Sequence, residues 1–214
     1  MQNILIKKKD TASPDVFYEV LHSTPVILAV KSMDGLEKSI TGGGRLMFVL
    51  FGDILSIPCI VSKIKDAGKI ALVHIDLIDG LTSRDIVVDF IAENTRADGI
   101  LSTKTNLLKR AKSRGLLAVQ RFFVLDSMSL INIEKQFPLD YADAVEILPG
   151  VIPKIIRRIV KIINKPVIAG GLVSDTEDVQ HALEAGAVSV SSSNMELASV
   201  SKLKIFETGL GKSG

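Results

Sequence analysis
Two polar clusters in this chain stand where apolar runs end, and their make-up suits the binding of a phosphate. Val167-Ile168-Ala169 runs into Gly170-Gly171, and a later apolar run closes in Ser191-Ser192-Ser193-Asn194. Paired glycines leave backbone N–H groups bare and approachable, and serine hydroxyls with a following helix N-terminus add donors, so these residues together can form a cup for an anion. A glycine pair that served only a tight turn would not call for the serines. Other polar residues also close apolar runs: Lys31, Asp53, Asp76, Ser102, Lys104, Gln120, Arg121 and Glu146. Donors and cations for a phosphate, beside carboxylates that accept hydrogen bonds from hydroxyls, make up the set a small polyol phosphate needs.

Such residues lie far apart in the chain, so a fold must gather them. In a (βα)8 barrel all strand ends meet at the C-terminal face, and a phosphate sits in the loops after strands seven and eight. The chain supplies the required alternation. A helix starting at Ser13-Pro14-Asp15 has no strand before it and is expected to close the barrel floor. Strands are then expected at 26–30, 46–51, 70–76, 99–103, 116–123, 144–148, 167–169 and 187–190, with amphipathic helices between them. The strands are apolar on both faces, as in a parallel sheet covered by helices. We read a TIM barrel with an extra N-terminal helix: residues 1–24 as extension and helix, 25–200 as the single barrel domain, 201–214 as a polar tail. The alternative, a doubly wound open sheet, would place a glycine-rich turn after its first strand. Gly42-Gly43-Gly44 instead precedes the second strand and reads as a flexible turn.

Composition narrows the function. With 214 residues, 47% hydrophobic and 23% charged, the chain can bury one substantial core. Its 26 Lys+Arg against 24 Asp+Glu give a net charge of +2, which neither demands nor excludes nucleic acid. Cys59 is the single cysteine, set among apolar residues, and reads as an inert core thiol. No apolar run reaches membrane-spanning length and the N-terminus lacks a signal-peptide core, so a cytoplasmic protein with no membrane partner is expected. The three histidines are too dispersed for a zinc triad, and Asp76 with Glu146 makes no tight carboxylate cluster, so neither metal nor cofactor is expected. His74, inside an apolar strand, reads as a hydrogen-bonded core residue, and Asp53 and Asp126 as helix caps. Period-two alternation puts His74 with Asp76, and Ser102 with Lys104, on common faces. With Gln120 facing the lumen, Arg121 would need a bulge to reach the mouth.

The runs Pro25 to Lys31, His74 to Gly80, Asp98 to Lys104, Gln120 to Asp126, Glu146 to Gly150 and Ala169 to Leu172 resemble, in this order, the glycerol uptake operon antiterminator regulatory family. The resemblance covers about Pro25 to Asn194. It implies a non-catalytic (βα)8 barrel that binds glycerol 3-phosphate and, when loaded, acts on leader mRNA to prevent premature termination of glycerol-utilisation transcripts. By motif match, Asp76, Lys104, Arg121 and Glu146 line the glycerol end, and Gly170, Gly171, Ser192 and Ser193 the phosphate end. Two departures bear on ligand preference and on packing of the last helix: Lys31 stands where the family can use arginine, which alone offers a bidentate fork, and no tryptophan follows Ser193-Asn194.

RNA rests on the resemblance more than on the residues. Lys154, Arg157, Arg158 and Lys161 form a basic helix face that could meet phosphates, as could Lys109, Arg110, Lys112 and Arg114. Aromatics are only 5% of the chain and tryptophan is absent, so no stacking platform for single-stranded bases is visible. The competing class is a phosphosugar isomerase, epimerase or lyase on the same barrel, since fold does not fix function. A homo-oligomer is compatible with either reading.

Overall fold
The computed structural model describes residues 11–136 and 140–197. Ser13 caps α1 (Pro14–Ser23) by accepting the Val16 N–H, and Pro14 occupies the first turn, where no intrahelical donor is needed. Then follow β1 (Val26–Val30), α2 (Met33–Ile40), β2 (Leu46–Val49), α3 (Ile57–Asp66) and β3 (Ile70–His74), a 3₁₀ turn (Ile75–Leu77), and α4 (Ile86–Asn94). The second half comprises β4 (Gly99–Ser102), α5 (Thr105–Ser113), β5 (Leu117–Phe123), α6 (Ser127–Lys135), β6 (Ala144–Leu148), α7 (Pro153–Ile162), β7 (Val167–Gly170), α8 (Thr176–Glu184) and β8 (Ser189–Ser192). All strand pairs are parallel, and β1 pairs with both β2 and β8, so the sheet closes on itself. This is the (βα)8 barrel expected from the alternation, with its extra N-terminal helix. The polar tail expected over 201–214 lies outside the described residues.

The lumen is filled by alternate residues of each strand, among them Ile27, Phe48, Leu72, Leu101, Val119 and Ile168. Phe17, Val20 and Leu21 of α1 join that cluster at 0% exposure, so the helix seals the floor. At ~1.5–3 kcal/mol per fully buried side chain, those three residues make the seal a substantial part of the fold's stability. Two further apolar clusters lie between the strands and the surrounding helices. Below the strands, Asp98 accepts the N–H groups of Ala12 and Ala71 and the ammonium of Lys65. Asp143 does the same for Ala118 and Lys112. Paired carboxylates thus hold the loops that enter β4 and β6.

Three local expectations change. The last strand begins at Ser189 and not at Ala187, because the Ala187 N–H still bonds to Ala182 of α8; the hydroxyl-rich run lies inside the strand. Cys59 is exposed and not in the core, because α3 buries Ile57, Ile60, Val61 and Ile64, a stripe that position 59 misses. The triple glycine is no loose turn: Gly42 and Gly44 carbonyls each accept the Lys69 ammonium at 2.7 Å.

Candidate functional site
The barrel mouth is organised by a buried ion pair. On β6, Ala144 fills the lumen, so Glu146 points inward as well, and it is 0% exposed. Arg121 is its register partner on β5 and holds Glu146 Oε2 through Nε at 2.6 Å. The other carboxylate oxygen accepts the Ser191 hydroxyl from β8 at 2.5 Å. One carboxylate therefore ties together three strands of the second half of the barrel, β5, β6 and β8. No bulge is needed to bring Arg121 inward. Leu117 and Val119 are the lumenal residues of β5, which puts Arg121 inside and turns Gln120 toward the helices, where Nε2 donates to the carbonyls of Thr103 and Arg121.

The glycines follow from this contact. A Cβ on Gly170 would lie 2.6 Å from both Glu146 Oε1 and Ser191 Oγ, so only glycine fits beside the pair. The chain then takes two left-handed residues, Gly171 at φ +75 and Leu172 at φ +63. For leucine that conformation costs ~1–2 kcal/mol, yet Leu172 is 76% exposed and has little packing to hold it there. Among the described residues, the N–H groups of Gly171, Leu172, Val173 and Ser193 donate to no protein acceptor. All four residues line a cavity of about 280 Å³, together with Lys31 and Arg121. The Arg121 guanidinium spends only Nε on protein among the described residues, which leaves its terminal nitrogens available at the cavity. Unused backbone donors beside a guanidinium and an ammonium form an environment for an anion.

The four residues expected at the glycerol end fall into two pairs. Arg121 and Glu146 line the cavity, whereas Asp76 and Lys104 sit between the loops of the third and fourth units. Asp76 follows the end of β3, in the 3₁₀ turn, and accepts from the Thr103 N–H at 2.8 Å and from the hydroxyls of Ser102 and Thr103. Burial pushes its carboxyl up, but those hydrogen bonds, with His74 and Lys104 nearby, hold it below the ordinary value. Lys104 lies 3.4 Å from Asp76 and donates to Ser83. Of the serines, Ser193 stands in the cavity wall, while Ser192 also donates to the Val173 carbonyl and accepts the Asn194 N–H. Ser191, which the motif match passes over, is the one that reaches Glu146.

His74 lies between the two pairs, on the lumenal face of β3 and 3% exposed. It is not the hydrogen-bonded core residue expected from the sequence: its buried Nδ1 has no partner, and Asp76 Oδ2 is 4.0 Å away. Burial and then the Arg121 charge lower its pKa to about 4, so the ring is neutral near pH 7. Asp126 is the cap of α6, accepting the Ser129 N–H, but Asp53 is not a helix cap: α3 starts after Ser56, and Asp53 accepts the Leu55 and Ser56 N–H groups in the turn that leads to it. Among the described residues no group of His, Cys, Asp and Glu is placed to hold a metal ion, and no helix is long and apolar enough to cross a membrane.

The two basic helices differ. On α5, Arg110 grips Asp89, Lys112 binds Asp143, Arg114 binds Glu93, and Lys109 lies over the Tyr141 ring. On α7 the exposed cations Lys154, Arg157, Arg158 and Lys161 fall at i, i+3, i+4 and i+7, opposite the buried Ile156 and Ile159. Only Arg158 has a carboxylate partner among the described residues, Glu134.

The family profile of glycerol-3-phosphate responsive antiterminators matches residues 26–198. The uncharacterized protein YgcP of Escherichia coli K12 is 42% identical over 183 residues, spanning 86% of this chain and 96% of that one. Among solved structures, the glycerol uptake operon antiterminator regulatory protein of Listeria monocytogenes is 32% identical with a TM-score of 0.76, covering 79% of this chain and 91% of that one. A glycerol uptake operon antiterminator-related protein of Thermotoga maritima is 33% identical with a TM-score of 0.73, covering 83% and 99%.

Proposed function
The chain belongs to the glycerol-3-phosphate responsive antiterminators, and on that premise we propose that it senses glycerol 3-phosphate at the barrel mouth and, when loaded, binds leader mRNA of glycerol-utilisation genes. The observation that carries the ligand half is the cavity beside Gly171 and Ser193, where unused N–H groups converge with the free side of the Arg121 guanidinium. In this reading Gly170, Gly171, Ser192 and Ser193 form the phosphate end, with Gly170 making room and the loop N–H groups donating. Arg121 and Glu146 form the inner wall of the glycerol end, and Asp76 and Lys104 its outer edge. The cavity's 280 Å³ suits a three-carbon phosphate; pockets for drug-sized ligands run to roughly 300–1,000 Å³.

Binding without turnover is the favoured mode. Glu146, the one carboxylate in the cavity wall among the described residues, has both oxygens engaged, by Arg121 and by Ser191, which leaves it poorly placed to take a proton from a ligand. The RNA half is supported by α7. The stretch 147–174 contains five cations and no carboxylate, and its exposed cations are mostly unpaired among the described residues, a surface that attracts a phosphate backbone. The test is calorimetric titration with glycerol 3-phosphate, with glycerol, inorganic phosphate and a phosphosugar as controls, followed by product analysis of each mixture. Selective binding of glycerol 3-phosphate with no product is expected. Conversion of any phosphosugar would replace this reading by the enzymatic one.

A further inference from the structure
We propose that His74 is a ligand-reading residue of the mouth, a neutral hydrogen-bond acceptor for a hydroxyl of a polyol phosphate. The proposal rests on the reading of the mouth as a polyol-phosphate site and adds to it the residue that tells the polyol from a bare alkyl chain.

The position is unusual for a residue with no role. Ile70 and Leu72 precede His74 on the lumenal face of β3, and Leu101 is its register neighbour, so an apolar side chain would pack there without leaving nitrogens unpaired. Yet neither imidazole nitrogen has a hydrogen-bond partner among the described residues. Nδ1 is sealed, and it faces the ring's own backbone carbonyl and, 4.0 Å away, Asp76 Oδ2. Both neighbours are acceptors, which puts the ring proton on Nδ1. Nε2 is then the lone-pair nitrogen and, unlike Nδ1, is not sealed; the ring stands behind the residues that line the 280 Å³ cavity, in the field of Arg121, which does line it. Burial chiefly, then the Arg121 and Lys104 charges, disfavour protonation of the ring against the opposing pull of Asp76, and so keep that lone pair free. A hydroxyl donating to Nε2 would lie between Arg121 and Glu146 on one side and Asp76 and Lys104 on the other, joining the two pairs into which the mouth is divided.

The experiment compares glycerol 3-phosphate with propyl phosphate, which keeps the phosphate and the three carbons and lacks both hydroxyls. For His74→Leu, affinity for glycerol 3-phosphate should fall about tenfold, the size of one hydrogen bond, while propyl phosphate binding stays within about twofold. His74→Gln, which restores an acceptor, should recover most of the loss. Equal losses for both ligands, or no loss for either, overturn the proposal. Imidazole ¹⁵N spectra of the unaltered protein test it without any substitution: the Nε2 resonance should move on adding glycerol 3-phosphate and not on adding propyl phosphate, and an unmoved resonance overturns it too. If the unaltered protein binds no polyol phosphate, the parent reading fails and this one with it; if it binds while His74 is indifferent, only this one fails.

Discussion
The neutral His74 should couple the stability of this barrel to pH in a window where few other groups act. Its folded pKa of about 4 lies below the ordinary histidine value of 6.5. The unfolded chain therefore takes up the proton first as pH falls, and the folded state loses ground from about pH 6.5 down to about 4. One proton over that interval, at ~1.4 kcal/mol per pH unit, amounts to about 3 kcal/mol, fully present above pH 6.5 and lost by pH 4. The carboxylates with lowered values, Asp53, Asp76, Asp89 and Asp126, contribute stability that disappears only as pH falls below the ordinary aspartate range. The assay is urea unfolding at pH 7.5, 6.5, 5.5 and 4.5 for the unaltered protein and for His74→Gln. Between pH 6.5 and 4.5 the unaltered protein should lose on the order of 2–3 kcal/mol more than the variant. Parallel stability profiles would refute the reasoning, because they would mean that the ring titrates alike in the folded and unfolded states.

Other substitutions probe the mouth and the flank. Gly170→Ala would put a methyl group 2.6 Å from Glu146 Oε1 and Ser191 Oγ; separating the buried pair should cost about 3 kcal/mol by denaturant unfolding. At Gly171, valine would force a β-branched residue to φ +75 with its Cβ 3.0 Å from Leu148, so glycerol 3-phosphate affinity should drop at least tenfold by calorimetry. Leu172→Gly removes left-handed strain of ~1–2 kcal/mol against a glycine entropy cost of ~0.5–1, so Tm should hold or rise by about 2 °C, whereas an ordinary leucine-to-glycine change lowers it. Neutralising Lys154, Arg157 and Lys161 should weaken leader RNA binding and flatten its salt dependence while leaving glycerol 3-phosphate affinity unchanged; unmoved RNA affinity would mean that α7 is only a solvated face.

How much of this was legible in the sequence differs between fold and site for one physical reason. The order and type of the elements follow from apolar runs alternating with amphipathic stretches, and the barrel emerges as expected, down to the Ser13-Pro14 start of the helix that closes its floor. But β strands covered by helices outside and packed in a lumen inside are apolar on both faces, so hydrophobicity does not say which residue of each adjacent pair points inward. That ambiguity decides the site. At β5 it made Gln120 lumenal and Arg121 the outsider, when Leu117 and Val119 put the opposite set inside. At β8 the two-residue shift of the strand places Ser189 and Ser191 in register with Ile168 and Gly170, which a count of serines alone does not reveal. Asp76 escapes the period-two rule altogether, because β3 ends at His74 and a 3₁₀ turn carries the carboxylate sideways to Thr103. A sequence signal for the correct facing did exist: a buried carboxylate needs a cation, and of the residues beside Glu146 on the neighbouring strands only Arg121 supplies one. Charge pairing, unlike apolar periodicity, distinguishes the two faces of such a strand, and applied to Glu146 it brings Arg121 into the lumen before any coordinate is known.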